Sequence, residues 1–107
     1  MLHRSRARVA LLVPLLAAVP LAAPAQPPAG RLLASQCAQC HGTDGNSVSD
    51  LETLAGESAK DMLSELLDMK YSDDVGDIMI KQAKGYTDAQ LRLIAEYFAA
   101  QPRPGED

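Results

Sequence analysis

Cys37-Ala38-Gln39-Cys40-His41 holds the residues best suited to chemistry. Two thiols three positions apart, followed directly by an imidazole, form C-x-x-C-H, the pattern for covalent attachment of a c-type haem. Each thiol can add to a vinyl group of a porphyrin to make a thioether. The two-residue spacer sets the distance between the vinyls, and the next residue brings its imidazole to the iron. On this reading Cys37 and Cys40 hold the haem and His41 is the proximal axial ligand. These are the only two cysteines in the chain, so none remains for a disulfide elsewhere. The same residues admit other chemistry. A thioredoxin-like C-x-x-C expects a βαβ setting, and no alternating strand pattern surrounds this one. A zinc site would take Cys37, Cys40 and His41 and still lack a fourth ligand. The other histidine, His3, lies in a segment expected to be removed. A disulfide or a chance match completes the alternatives, and the motif favours haem.

The elements that must position this motif begin after a segment that is not part of the fold. Arg4, Arg6 and Arg8 form a basic start, residues 9–21 an apolar run, and Ala23-Pro24-Ala25 a small-x-small cleavage site. The pattern predicts a signal peptide over residues 1–25, cleaved to leave Gln26 first, and a periplasmic product. The alternative, an uncleaved anchor, meets two obstacles. The run is short of the roughly 20 residues a bilayer requires, and Pro14 and Pro20 interrupt it.

The precursor carries a net charge of −4. After cleavage seven basic residues face fourteen acidic ones, a formal charge of −7 on 82 residues. Such a surface repels nucleic acid and anionic lipid and suits a partner with a basic docking face. The chain has no Trp, one Phe and three Tyr. A domain this small with so few aromatics makes a marginal core unaided, and a buried porphyrin would supply the missing apolar surface.

Only helices are expected. Residues 29–36 are mostly good helix formers and put Leu33 on the face of Cys37. Gly30 costs roughly 1 kcal/mol within a helix, which makes sense if another helix crosses there, the alternative being a frayed end. A turn-rich loop of Gly, Asn, Asp, Ser and Thr follows His41, and one of its carbonyls could accept the free ring N–H of that histidine. Ser58-Ala59-Lys60-Asp61 reads as a capping-box variant opening a helix to about Lys70. Met62, Leu63, Leu66, Leu67 and Met69 keep one face apolar, so the plain reading of Met62 and Met69 is core filling. Asp68, Asp73, Asp74 and Asp77 gather around a break at residues 72–76, read as solvated surface with docking as the sharper option. A short helix over residues 77–84 is closed by Gly85. Thr87-Asp88-Ala89-Gln90 is a capping box for a last helix from Asp88 to about Ala100, with Leu91, Ile94, Ala95 and Phe98 in one stripe. Pro102 stops it, and residues 102–107 form a polar tail expected to lack order.

C-A-Q-C-H-G-T-D-G near the start and I-A-E-Y-F in the last helix resemble the small class I cytochromes c of bacteria, over nearly all of residues 29–101. The resemblance implies an all-α fold of three to five helices around one covalently bound haem c, over a domain at residues 26–101. It implies a crossing of the first and last helices, with Gly30 and Leu33 against Ile94 and Tyr97. It also implies a sixth iron ligand just before the last helix, which places Met79 there. The stretch from Met79 through Ala83-Lys84-Gly85-Tyr86-Thr87-Asp88 is similar to the cytochrome subunits of flavocytochrome c sulfide dehydrogenases. One departure is Thr53, where many relatives have a Pro shortly before L-A-G, and it puts the ordering of that loop in question. The function implied is a periplasmic monohaem carrier, not itself an enzyme, passing single electrons between redox partner proteins through His41/Met79-ligated iron. The alternative is the haem c subunit of a flavoprotein sulfide dehydrogenase complex. A third reading, an open sixth site for ligand binding or peroxidatic work, is weakened because no second histidine remains in the mature chain. Neither nucleic-acid binding nor membrane insertion of the mature chain is expected.

Overall fold

The computed structural model of the chain describes residues 1–2 and 7–105. Arg4 and Arg6 of the basic start, His3, and Glu106 and Asp107 of the tail lie outside the described residues. Residues 7–28 carry no regular secondary structure, and the apolar run shows its side chains to solvent, Leu11, Leu12, Leu15 and Leu16 among them. No helix among the described residues is long and apolar enough to cross a membrane.

Five helices follow, and the described residues contain no strand: α1 (Arg31–Ala34), α2 (Ala38–His41), α3 (Ala59–Lys70), α4 (Ile78–Lys84) and α5 (Asp88–Ala99). A 3₁₀ turn at Thr43–Gly45 lies between α2 and α3. The helix expected over residues 29–36 is shortened to the one-turn α1, and a second one-turn piece, α2, follows it. Helical backbone angles persist at Ser35 and Cys37. The hydrogen bonds tighten there, however, to Ser35 N–H on Leu32 and Cys37 N–H on Ala34. The Ser35 hydroxyl also donates to the Leu32 carbonyl at 2.6 Å, a local competitor for the helical ladder.

The longer helices start where their caps require. The Ser58 hydroxyl accepts the Asp61 N–H at 3.3 Å. Thr87 and Gln90 form both halves of a capping box, with bonds of 3.1 and 2.9 Å. The stripe of α5 is the centre of the core, with Leu91, Ile94, Ala95, Tyr97 and Phe98 all buried. Ala34 from α1 and Met62 from α3 pack on it. Leu91, Ile94, Phe98 and Met62 each contribute on the order of 1.5–3 kcal/mol by this burial.

The first and last helices cross at Gly30. A Cβ there would lie 2.7 Å from the Leu93 carbonyl carbon and 2.8 Å from Tyr97 Cβ, closer than any side chain allows. The absence of a Cβ is therefore what permits the approach. On the other side of α5, the loop before α3 is tied down by Gly56 N–H donating to the Phe98 carbonyl at 2.9 Å. Arg103 departs from the unordered tail expected. Its Nε donates to the Ala55 carbonyl and its Nη2 pairs with Glu57, both at 2.7 Å, so the chain is pinned beyond Pro102.

Candidate functional site

His41 ends α2 and is buried. Its Nδ1 lies 2.7 Å from the backbone carbonyl of Glu52. A carbonyl only accepts, so Nδ1 carries the proton and donates, and Nε2 is left with a free lone pair. This is the arrangement that orients a metal-binding imidazole. The acceptor is thus the carbonyl of Glu52, eleven residues on, in the segment that follows the turn-rich loop expected to supply it.

That carbonyl is held by its neighbours. The Thr53 hydroxyl accepts the Ser47 N–H at 3.2 Å. Leu54 and Ala55 both donate to the Gly45 carbonyl, at 2.8 and 3.1 Å. Thr53 thus orders the loop through its hydroxyl, without the ring constraint a proline would give. Gly45, with φ of 79°, packs where a Cβ would meet a Phe98 ring carbon at 2.7 Å. The residue before it, Asp44, takes φ of 53° and accepts a short hydrogen bond from the Tyr97 hydroxyl. That bond holds the Tyr97 phenol above its ordinary pKa, with burial adding to the effect and Arg31 opposing it.

Beside His41 opens a cleft of about 110 Å³. Leu54, Met62, Leu66, Ile94 and Phe98 wall it, and Cys37 stands at its edge. Burial pushes the Cys37 thiol up. Cys40 does not line the cleft. It is exposed on the outer side of α2, over a shallow depression with Gly42, Thr43 and Asn46. Both cysteines are free, so the pair does not form a disulfide. Apolar walls, one histidine with an uncommitted ring nitrogen and the Cys37 thiol at the cleft suit a porphyrin held from the His41 side, with Cys40 three residues on but facing away from the cleft. They do not suit a closed zinc site, and no cluster of three or more metal-binding side chains occurs among the described residues.

Met79 also lines the cleft. It occupies the second position of α4, where the Asp77 carboxylate caps the helix by accepting Met79 N–H at 2.7 Å and Ile80 N–H at 3.4 Å. Met62 and Met69 reach the same cleft from α3. The stripe on α3 predicted packing for both, and Met62 does belong to the core. Their place on the cleft wall was not read from the sequence, because a helix face lining a cofactor has the same period as one facing a core.

The sequence matches the cytochrome c family over residues 28–101. It is 42% identical over 82 residues to the cytochrome subunit of sulfide dehydrogenase from Chlorobaculum tepidum, covering 77% of this chain and 74% of that protein. It is 35% identical over 74 residues to cytochrome c4 from Pseudomonas aeruginosa, covering 68% of this chain and 37% of that protein.

Proposed function

The chain belongs to the cytochrome c family, and on that premise we propose that it is an exported one-electron carrier whose iron is held between His41 and Met79. The fold is that of the class I cytochromes c, and the cofactor is a covalently attached haem c, which the Cys37–Cys40 pair fits. The observation that carries the ligand assignment is the Glu52–His41 hydrogen bond, which frees Nε2 of a buried imidazole at the wall of an apolar cleft. Cys37 and Cys40 anchor the group, and Met79 supplies a thioether from the capped start of α4. Bound haem c supplies the electron chemistry, its iron passing between Fe(II) and Fe(III).

The residues of the chain govern that chemistry. A thioether ligand favours the reduced iron and raises the potential, whereas the hydrogen bond from His41 to Glu52 strengthens the imidazole as a donor. Leu54, Leu66, Ile94 and Phe98 exclude water from the cleft. With His41 and Met79 both committed to holding the group, the chain would offer a substrate no place to bond to it. Glu52 and Glu65, exposed at the cleft, extend the acidic surface to its mouth. They would face a basic partner there.

Export rests on the basic and apolar pattern of residues 4–25. It is supported by the solvent exposure of the apolar run, which makes no core with the domain. The identity with a sulfide dehydrogenase cytochrome subunit favours a second reading, in which the partner is a flavoprotein that oxidises sulfide and this chain takes its electrons.

Met79→Ala tests the ligand set. The oxidised wild-type holoprotein should show the weak long-wavelength charge-transfer band of sulfur-ligated ferric haem. The variant should lose it, drop in potential and bind cyanide readily. Retention of the band in Met79→Ala, with loss in Met62→Ala or Met69→Ala, refutes the assignment. Mass spectrometry of the exported protein should give a chain starting at Gln26 plus one haem. Sedimentation of the native protein separates a free carrier from a complex that carries flavin in fixed proportion.

A further inference from the structure

Residues 73–78, the approach to Met79, are all exposed, Val75 and Ile78 to 71% and 66%. Burial therefore does nothing to hold this approach, and its geometry depends on polar contacts. Within the segment the contacts are local: Asp74 N–H on the Ser72 hydroxyl, Gly76 N–H on the Asp74 carboxylate, and the Asp77 cap on Met79. Bonds between neighbours shape a turn but do not fix where it sits.

Lys84 fixes it. This last residue of α4 donates from Nζ to the carbonyls of Lys70 and Ser72, both at 2.7 Å. These carbonyls close α3, where a helix leaves acceptors without partners and where its dipole favours a cation. Lys84 lies five residues after Met79, about 140° around a helix of 3.6 residues per turn. One side of α4 can therefore turn its thioether to the cleft while the other is clamped to the end of α3. The same stretch of α3 is gripped again by Asp88, which accepts Lys70 Nζ at 2.6 Å and the Tyr71 hydroxyl at 2.9 Å.

We propose that Lys84 is a positioning residue for Met79, its clamp on the Lys70 and Ser72 carbonyls setting how firmly the thioether is presented to the iron. The proposal rests on Met79 as sixth ligand. Without the clamp, α4 is held only by its packing on α3 through Ala83, and the sulfur leaves the iron more often.

The test uses ferric holoprotein and imidazole as the probe. At saturating imidazole the binding rate reports release of the sixth ligand. Lys84→Leu keeps an apolar stem without a donor and should raise that rate about tenfold, the loss of its two charge-assisted bonds taken together and reduced by the exposure of Lys84 to solvent. Lys84→Arg should restore a rate near that of the wild type. Lys81→Leu, at an exposed lysine of the same helix without such a clamp, should leave it unchanged. Guanidinium unfolding run in parallel shows whether the change is local. An unchanged rate in Lys84→Leu overturns the positioning role and leaves the ligand intact, as does an equal rise in Lys81→Leu, which would reflect charge alone. A wild type without the sulfur charge-transfer band overturns the ligand assignment and the proposal with it. If Lys84→Leu does not accumulate with haem, Lys84→Gln carries the comparison with the same expected direction.

Discussion

Gly30→Ala adds one methyl where the first and last helices cross, and its effect can be worked from the contacts. Gly30 has φ of −83° and ψ of −11°, angles any residue adopts, so the backbone is not strained by the change. Restricting the unfolded chain would by itself stabilise the variant by about 0.4–1 kcal/mol. Against this, the new carbon would stand 2.7 Å from the Leu93 carbonyl carbon and 2.8 Å from Tyr97 Cβ. Carbon atoms prefer about 3.5–4.0 Å. The obstructing atoms belong to the backbone and the Cβ of α5, so no rotamer relieves the clash and the helices must separate. Such overpacking costs typically 1–3 kcal/mol, and a backbone obstacle belongs at the upper end. The net loss expected is about 2 kcal/mol, or roughly 8–16 °C in Tm for a domain of this size. Thermal unfolding of the holoprotein, followed by far-UV circular dichroism, measures it. Gly76→Ala is the contrast, because its new carbon meets only a movable Asp74 carboxylate oxygen at 3.3 Å and should shift Tm little. A Gly30→Ala variant as stable as the wild type refutes the crossing described.

The Tyr97–Asp44 bond makes a pH prediction. A phenol whose folded pKa is raised contributes stability that is whole below its unfolded value of about 10 and is lost as pH climbs through the folded value. Denaturant titrations above pH 10 should show stability falling with pH, less steeply in Tyr97→Phe than in the wild type, and equal slopes would count against the bond. Met62→Ala removes a residue only 7% exposed and should cost about 2–5 kcal/mol in guanidinium unfolding. The sulfur charge-transfer band should survive that change, and its loss would transfer the ligand role to α3.

Features made by residues adjacent in sequence were legible in advance. Thr87 and Gln90 cap α5 three positions apart, the Leu91–Phe98 stripe lies within one helix, and the C-x-x-C-H motif runs from the cap of α2 to its end. The resemblance of the ends of the domain led to the crossing at Gly30 and to Met79 beside the cleft. Contacts made by the main chain were not legible. Nothing about the Glu52 side chain marks its carbonyl as the acceptor for His41, and Lys84 looks like any surface lysine until α3 ends beneath it. Between α1 and α2 the Ser35 hydroxyl and N–H both bond the Leu32 carbonyl, a contact that composition does not mark. Arg103 sits in a run of polar residues whose composition indicates no order, yet Ala55 and Glu57 offer it partners from 48 and 46 residues away.

The contact of Gly30 with Tyr97 also bears on the order of events as the chain folds. Their separation is 67 residues, so most of the domain must exist before its first helix has anything to pack against. Closing a loop of that length costs about 3.7 kcal/mol of chain entropy beyond a constant. Contacts of such high contact order form slowly. Until α5 arrives, α1 is a single turn with no tertiary support, too short to persist in water. The C-x-x-C-H segment beside it is then open on both sides. Cys37, half-buried in the finished fold, is within reach of chemistry chiefly in that interval.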